Sequence, residues 1–368
     1  MSTTGVDNFQ KPQNIVGLNK NDLQKAVDKL GEKSFRTKQI WHLLYNRGIK
    51  SFDEMSLLPK DLREKLKEHF VLSRPEVVLE QTSVDNSRKW LLRFDDKTEI
   101  ETVYIPEDDR GALCISTQAG CKAGCAFCNT GRQGFTRDLT AYEIVSQFML
   151  ARDIYGEWPT PTSETRYLSN VVVMGMGEPL FNYDNVATAL KILMDGDGIS
   201  ISKRRITLST CGVVPMMKKA ASELGVKLAV SLHASTNEIR NQIMPINKKY
   251  PLEELMKACQ EYQEIAGTRQ RITFEYVMLK DVNDSTQDAK NLISMVKGHN
   301  IGAKFNLIPF NPWPGCKYEC SSSKKIKTFT TILEDAGFAC PVRVSRGQDI
   351  LAACGQLSAQ NKELKSQI

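Results

Sequence analysis

The sequence predicts an α/β protein, a partial (β/α)6 barrel preceded by a small helical domain. From residue 112 onward, strand and helix signals alternate six times, a pattern typical of a parallel sheet with right-handed crossovers. Six units fall short of the eight that close a complete barrel. Before residue 75, apolar residues recur instead at three- and four-residue steps, which indicates amphipathic helices.

The predicted elements of the barrel follow from this alternation. Strands end where small or polar residues interrupt an apolar run, and helices begin where the period changes from two to 3.6. Strands are expected at residues 112–117, 170–175, 205–210, 227–233, 271–279 and 303–310, and helices at 141–154, 186–194, 215–224, 252–265 and 286–297.

The chain divides into four segments by composition and pattern. Residues 1–75 form a helical domain with 14 Lys and Arg against nine Asp and Glu, a basic bias compatible with nucleic acid binding. Asn21 and Ser34 are expected N-caps there, and Gly31 and Gly48 expected stops. Residues 76–105 form a short β extension, 106–345 the barrel core, and 346–368 a C-terminal segment.

Composition narrows the class of protein. The 368 residues carry a net charge of +6 and contain ten cysteines, and no apolar run reaches the roughly 18 residues of a membrane span. The polar first ten residues do not resemble an export signal. We therefore expect a cytoplasmic protein without a membrane partner, whose cysteines serve metal binding or catalysis.

Three cysteines in one short loop are the most informative motif. Cys121, Cys125 and Cys128 have the spacing C-x3-C-x2-C. A structural zinc site takes four ligands and an electron-transfer iron–sulfur cluster usually takes four cysteines. Three thiolates can instead hold three irons of a 4Fe–4S cluster and leave the fourth iron open to a small molecule. An incomplete zinc loop or buried free thiols would be the plainer interpretation.

Polar residues follow the predicted strands at the edge where the active sites of such sheets lie. In Met174-Gly-Met-Gly-Glu-Pro179, the glycines would let the backbone approach a ligand, and Glu178 could accept from an ammonium group. Taken singly, each polar residue also fits a structural role, but their common edge favours a binding site. The other strand-end residues are Ser209, Ser231, His233 and Asn311.

Three more side chains are ambiguous from the sequence alone. Cys354 lies between small residues that leave its thiol accessible, and Cys114 lies in the first barrel strand, just before the cysteine loop. Each also fits a small buried hydrophobic residue. Glu101, in the β extension, also fits a surface or salt-bridged carboxylate.

The cysteine spacing resembles that of the radical S-adenosylmethionine (radical SAM) superfamily. Within it, the chain is similar over nearly its whole length to the family that methylates carbon 2 of adenine in RNA. The motifs that carry this resemblance are Phe35-Arg-Thr-Lys-Gln-Ile40, Glu101-Thr-Val-Tyr-Ile-Pro-Glu-Asp-Asp-Arg110, the cysteine loop through Gln133-Gly-Phe135, Met174-Gly-Met-Gly-Glu-Pro179, Ser202-Lys-Arg-Arg205, Pro245-Ile-Asn-Lys-Lys249, Asn306-Leu-Ile-Pro309, Arg346-Gly347 and Ala353-Cys-Gly-Gln356.

The resemblance implies a TIM-like radical SAM barrel and a role for each candidate residue. Cys121, Cys125 and Cys128 would hold a 4Fe–4S cluster. Cys354 would carry a methyl group and Cys114 would resolve the covalent intermediate. Glu101 would accept a proton. The S-adenosylmethionine site would consist of Gly177, Glu178, Ser209, Ser231, Leu232, His233 and Asn311.

The resemblance also implies the reaction and its partners. Two S-adenosylmethionine molecules would be used per turnover, one to methylate Cys354 and one to give a 5′-deoxyadenosyl radical. A covalent protein–RNA adduct would then be released as a Cys114–Cys354 disulfide forms. The implied partners are 23S ribosomal RNA and transfer RNA, a flavodoxin- or ferredoxin-type electron donor and a thiol reductant. We expect a monomer, with Lys33, Arg36 and Lys38 helping to dock RNA.

Two alternatives remain at the level of sequence. One is the sister family that methylates carbon 8 of an adenine in ribosomal RNA and confers antibiotic resistance. The other is a non-catalytic RNA-binding module stabilised by zinc. Five cysteines receive no role: Cys259, Cys211, where the family often has serine, and Cys316, Cys320 and Cys340, which lie outside the family pattern.

Overall fold

One nine-stranded sheet forms the core of this computed structural model, which describes residues 13–108, 110–162, 166–267 and 270–359. Predictions for residues 1–12 and 360–368 concern positions outside the described residues. The strands are β1 (Gln13–Asn14), β2 (Phe70–Val71), β3 (Glu76–Thr82), β4 (Arg88–Arg93), β5 (Glu99–Glu107), β6 (Arg110–Cys114), β7 (Gln118–Gly120), β8 (Phe135–Asp138), β9 (Arg166–Val173), β10 (Ile206–Thr210), β11 (Lys227–Ser231), β12 (Ile272–Met278) and β13 (Ala303–Pro309).

Six parallel strands carry the barrel, as the sequence predicts. They lie in the order β13-β12-β11-β10-β9-β6, and each neighbouring pair is parallel. Helices follow the strands and cover the sheet, which accounts for the complete burial of β12. The helices are α1 (Lys20–Lys29), α2 (Phe35–Tyr45), α3 (Lys60–His69), α4 (Asn129–Arg132), α5 (Ala141–Tyr155), α6 (Tyr183–Met194), α7 (Val214–Glu223), α8 (Asn237–Ile243), α9 (Leu252–Ala266), α10 (Thr286–Gly298) and α11 (Ser323–Asp335).

The β extension continues the barrel sheet. Strands β3, β4 and β5 pair antiparallel with one another, and β5 pairs with β6, the first parallel strand. The sheet therefore stays open, with β3 at one edge and β13 at the other. The predicted β extension thus consists of three antiparallel strands that lie beside the parallel strands.

The observed bounds differ from the predicted ones mostly by one to three residues. The clearest difference is the first barrel strand, which ends at Cys114 and not at residue 117. Beyond it, the Gln147 side chain bonds both backbone groups of Ser116, its Oε1 accepting at 2.8 Å and its Nε2 donating at 2.9 Å. Helices α8 and α11 are additions that the sequence interpretation lacked.

The N-terminal helices pack on the outer face of the barrel. Trp41 Nε1 donates to Asp195 Oδ1 at 3.0 Å, and Lys20 lies 2.7 Å from the same carboxylate. One predicted cap was wrong, because Asn19 and not Asn21 caps α1. Ser34 occupies the N-cap position of α2 as predicted, but its side chain makes no capping hydrogen bond. Among the described residues, no helix has the length and apolar character needed to cross a membrane.

Gly48→Ala should destabilise the docked N-terminal helices more than Gly31→Ala does. Both glycines have positive φ, +67° and +74°, which costs alanine roughly 1–2 kcal/mol at each site. At Gly48 the added methyl group would overlap the Trp158 ring, whereas at Gly31 nothing lies within 4 Å. Overpacking should therefore add about 1–3 kcal/mol at Gly48 alone. Urea unfolding followed by tryptophan fluorescence would measure this, and equal midpoints would contradict it.

Candidate active site

The predicted site residues meet at the carboxyl-terminal edge of the parallel strands. Cys114 is the last residue of β6 and Ser231 the last of β11, while Ser209 lies one residue before the end of β10. The others follow the same strands: Gly177 and Glu178 after β9, Leu232 and His233 after β11, and Asn311 after β13.

The cluster loop, residues 121–128, begins directly after β7 and ends at α4. Cys121 N donates to Gly134 O at 2.8 Å and Ala126 N donates to Ile243 O at 2.9 Å, so both halves of the loop are fixed. Trp313 Nε1 donates to Phe127 O at 3.0 Å and joins the loop to the segment after β13. The loop is therefore held from three sides of the barrel mouth.

The three cluster-loop thiols are free and partly buried. Burial raises the pKa of Cys121 to about 12 and that of Cys125 well above its ordinary value, and neighbouring cysteine thiolates add to both shifts. Burial likewise raises the pKa of Cys128, and hydrogen bonds from the backbone N–H groups of Gly131 and Thr130 oppose this shift. Three sulfurs that repel one another as thiolates form a donor set that a cation would stabilise.

The chemistry of the donor set fits an iron–sulfur cluster. Such clusters are held by cysteine thiolates, and in a 4Fe–4S cluster each thiolate binds a different iron. Three thiolates from one short loop therefore suit three of the four irons. Ala123 N lies 3.4 Å from the Cys121 sulfur, a backbone hydrogen bond of the kind that tunes such clusters.

The loop after β9 is shaped mainly by packing. Gly177 has φ +101°, and a Cβ there would lie 2.6 Å from Gln118 Cβ, while one at Gly175 would lie 2.6 Å from Ser116 Oγ. Close approach to the neighbouring segment thus explains both glycines without a ligand. Gln118 also accepts from Glu178 N at 2.9 Å, which joins this loop to the start of the cluster loop.

The Glu178 carboxylate is buried and already has three donors. Leu180 N and Thr210 Oγ1 donate to Oε1 at 3.0 and 2.9 Å, and Cys211 N donates to Oε2 at 2.6 Å. Burial raises the pKa of this carboxyl group, and these hydrogen bonds oppose the shift. Its most direct function in the structure is to connect the ends of β9 and β10.

Arg240, which the sequence interpretation missed, organises the ends of β10 and β11. Its guanidinium is fully buried and donates to Leu232 O at 3.0 Å, Ser231 O at 3.0 Å and Cys211 O at 2.7 Å. The side chain comes from α8, an element that was not predicted. A lone arginine in a mixed sequence gave no signal for this role.

His233 is a fixed, neutral side chain. It adopts the left-handed conformation, with φ +57°, and its Nδ1 accepts from Val277 N at 3.0 Å. Burial lowers its pKa to about 3, with the Arg240 charge adding to the shift. Its ring meets Phe127 edge-on with centroids 4.8 Å apart, so it supports the cluster loop.

Asn311 links the last barrel strand to the C-terminal segment. Its Nδ2 donates to Cys354 O at 3.2 Å, and its Oδ1 accepts from Ser345 Oγ and Gln348 Nε2 at 2.6 and 2.7 Å. The predicted ligand contact of this amide would therefore compete with bonds to the chain itself.

The carrier loop, residues 351–358, lies against the end of the cluster loop. Asn129 N donates to Gly355 O at 2.8 Å, Asn129 Nδ2 to Gln356 O at 3.0 Å, and Thr130 Oγ1 to Leu357 O at 2.8 Å. Gln356 Nε2 donates to Pro312 O at 2.7 Å on the other side. A segment 226 residues after Cys128 thus completes the barrel mouth with Cys354 at its centre.

The two outlying thiols have different surroundings. Burial raises the pKa of Cys114 to about 12, and the charge of a Cys354 thiolate adds to that shift. Cys354 opens to solvent, yet surrounding protein atoms desolvate its thiol enough to raise its pKa. The Arg343 charge opposes the shift at both thiols, so both lie within the field of one cation.

Glu101 is buried in an ion pair, as one interpretation of the sequence allowed. Its Oε1 lies 2.9 Å from Lys89 Nζ, and its Oε2 accepts from Ser358 N at 2.7 Å. Burial raises the pKa of the carboxyl group, while Lys89 and the Ser358 amide oppose the rise. The pair joins the β extension to the carrier loop.

The remaining predicted features lie apart from this mouth. Lys33 and Lys38 are exposed on the N-terminal helices, and Arg36 stacks on the Phe35 ring. Among the five cysteines without a role, only Cys320 is exposed. Unlike the other four cysteines without a role, Cys211 lies at the strand ends of the site, where its backbone N–H donates to Glu178 and its carbonyl accepts from Arg240.

Comparison with known proteins identifies the family. Residues 13–72 match the ribosomal RNA large subunit methyltransferase N-terminal domain, and residues 115–293 match the radical SAM superfamily. The dual-specificity RNA methyltransferase RlmN of Rhodospirillum rubrum is 60% identical over 95% of this chain and 81% of its own length. That of Paramagnetospirillum magneticum is 58% identical over 96% of this chain and 78% of its own length.

A solved structure agrees. A radical SAM methyltransferase from Sphaerobacter thermophilus is 40% identical, with a TM-score of 0.87 over 95% of this chain and all of that one. Both the barrel and the N-terminal domain are thus shared with known methyltransferases. The chain belongs to the RlmN family of dual-specificity RNA methyltransferases and has the radical SAM fold.

Proposed function

We propose that this protein methylates carbon 2 of adenine in RNA, with 23S ribosomal RNA and a subset of transfer RNAs as substrates. Family membership supports the reaction class. The observation that carries the proposal furthest is the docking of Cys354 beside the cluster loop, with Asn129 donating to Gly355 O at 2.8 Å. A methyl-carrying thiol has to lie beside the group that activates it.

Membership of the radical SAM superfamily implies a 4Fe–4S cluster and S-adenosylmethionine. When bound, they supply a methyl group and one-electron chemistry, which an electron-poor ring carbon needs. Cys121, Cys125 and Cys128 would hold the cluster. The residues proposed to line the S-adenosylmethionine site are Gly177, Glu178, Ser209, Ser231, Leu232, His233 and Asn311.

Three side chains of the chain carry the proposed reaction. The Cys354 sulfur accepts a methyl group and, after hydrogen removal, bonds the base through the resulting methylene carbon. Glu101 accepts the proton lost from carbon 2, and the one electron left unpaired on the adduct would return to the cluster, so that the ring becomes aromatic again. The Cys114 thiolate then attacks the Cys354 sulfur. The bond between that sulfur and the methylene carbon breaks, and its electron pair is protonated to complete the methyl group.

The remaining partners belong to the same proposal. A flavodoxin- or ferredoxin-type protein donates electrons, and a thiol reductant reopens the Cys114–Cys354 disulfide. These reductants suit a cytoplasmic enzyme, and we propose that it acts as a monomer. The target adenine has to leave its stack to reach a recessed mouth, so the exposed Lys33 and Lys38 of the N-terminal domain would help to dock the RNA.

Cys125→Ala should abolish cluster binding and methylation together. Anaerobically reconstituted wild type should carry about four irons per chain, since three thiolates and an open iron account for one 4Fe–4S cluster. The variant should lose both the iron and the visible absorbance. Cys259→Ala, at a buried thiol outside the site, is the matched control and should keep them. Full methylation by Cys125→Ala would refute the assignment.

Cys354→Ala and Cys114→Ala should fail at different steps. Cys354→Ala has no methyl carrier and should give neither methylated RNA nor a covalent species. Cys114→Ala can still bond the base but lacks the thiol that releases it. It should accumulate a protein–RNA adduct that survives denaturing electrophoresis and disappears on ribonuclease treatment.

The double variant Cys114→Ala/Cys354→Ala is the control for these two thiols and should form no adduct, because bond formation precedes resolution. If both thiols were only packing residues, both single variants would instead show similar partial losses. Mass spectrometry of the wild-type product should place the methyl group on carbon 2. A product methylated on carbon 8 would assign the chain to the other reaction.

A further inference from the structure

We propose that Lys89 is a positioning residue, whose buried pairing with Glu101 holds the carrier loop in its docked place at the barrel mouth. The inference rests on the proposed function for the importance of Cys354, which that loop carries. Lys89 Nζ lies 2.9 Å from Glu101 Oε1, and the two side chains are only 3% and 5% exposed.

The pair contacts both ends of the carrier loop. Lys89 Nζ also donates to Leu351 O at 3.3 Å, at the first residue of the loop. Glu101 Oε2 accepts from Ser358 N at 2.7 Å, at the last residue. Each charged group thus makes one further hydrogen bond to the loop, Lys89 at its first residue and Glu101 at its last.

The pair stands on a rigid support that also fixes Cys114. Lys89 lies in β4 and Glu101 in β5, and cross-strand pairing sets Leu91 opposite Glu101, so Lys89 is its diagonal neighbour on the same face. Strand β5 in turn pairs Val103 with Cys114 of β6. The pair therefore fixes the carrier loop relative to the strand that ends in the proposed resolving thiol.

A buried ion pair has to be explained by more than stability. Desolvating two charges costs about as much as their attraction returns, and well-packed apolar residues often do as well. Removing one partner alone is costly, because the other charge stays buried without compensation. Because the remaining hydrogen bonds of this pair go to one loop, positioning that loop explains why a buried ion pair is present here.

The arrangement gives Glu101 two functions in one carboxylate. As the proposed proton acceptor, Glu101 has to face the base. As the acceptor for Ser358 N, it also holds the docked loop. The carboxylate is held in place by Lys89 and Ser358 together, so its orientation depends on the position of the loop that carries Cys354. Substituting Glu101 alone therefore cannot separate the two functions.

A set of variants of the full chain tests the pairing without RNA or S-adenosylmethionine. Amide hydrogen exchange of residues 351–358 should become about tenfold faster or more in Lys89→Met and in Glu101→Gln, since each leaves a buried charge unpaired. The double variant Lys89→Met/Glu101→Gln should exchange more slowly than either single variant, because no unpaired charge remains and the Gln carbonyl can accept from Ser358 N.

The matched control is Arg93→Met. It removes a cross-strand pair of the same two strands, in which Arg93 Nη2 lies 2.8 Å from Glu99 Oε1, together with the contact of Arg93 to Glu76 at 3.2 Å. Both contacts are more exposed than the Lys89–Glu101 pair. Its carrier loop should exchange as in wild type. If Lys89→Met matches this control, or if the two substitutions simply multiply their effects in the double variant, the proposal is overturned.

A second pair of variants keeps the test decisive should Lys89→Met fail to fold. Ser358→Pro removes the N–H that donates to Glu101, whereas Ser358→Ala keeps it, and neither alters the buried charges. The first should loosen the loop and the second should not. Equal exchange in both would contradict the proposal. These tests measure only the exchange of the carrier loop and do not depend on methylation. If the variants behave as expected but the wild-type protein does not methylate RNA, the proposed reaction fails and the positioning role of Lys89 stands.

Discussion

The contact between the carrier loop and the end of the cluster loop is the constraint on which the site depends. Its bonds are mostly made by backbone carbonyls of the carrier loop, at Gly355, Gln356 and Leu357, to donors on Asn129 and Thr130. Backbone bonding of this kind depends little on side-chain identity, but it requires the loop to hold one conformation. The β extension helps to hold that conformation from the opposite side, through Lys89 of β4 and Glu101 of β5, so these two strands matter to a loop far later in the chain.

Buried charged side chains organise the strand ends. Arg240 collects three backbone carbonyls after β10 and β11, and Glu178 collects three donors after β9 and β10. Each fixes loops that hydrophobic packing alone would leave free to shift. The neutral His233 has a related cause: its imidazole is buried and lies near the Arg240 charge, so it stays deprotonated and can accept from Val277 N.

The barrel could be predicted from sequence because its signals are local. Alternating apolar runs and amphipathic stretches gave all six parallel strands and five of the helices between them, and the cysteine spacing located the cluster loop within a few residues. What could not be predicted depends on partners that lie far apart in sequence. The first barrel strand ends early because the Gln147 side chain bonds the backbone of Ser116. Lys89 matters only because residue 351 folds back onto Lys89 and residue 358 onto its partner Glu101. The ligand-binding roles that the family resemblance implies also depend on such distant contacts, since Glu178 and Asn311 already form several hydrogen bonds within the chain.

The electrostatics of the two outlying thiols bear on when they react. Thiol–disulfide chemistry needs a thiolate, and burial that raises the pKa of Cys114 to about 12 leaves very little thiolate near neutral pH. A buried, protonated Cys114 thiol is thereby slow to oxidise. In the proposed reaction, the Cys114 thiol must lose its proton before it can attack Cys354, and once Cys354 is bonded to carbon it no longer adds a competing negative charge. Arg343, which opposes the pKa rise at both sulfurs, then favours the Cys114 thiolate without the repulsion that a free Cys354 thiolate would add. In the proposed reaction Cys354 is methylated before the adduct forms, so its contribution to the raised pKa of Cys114 is absent from that first step onward, and burial is the cause that remains.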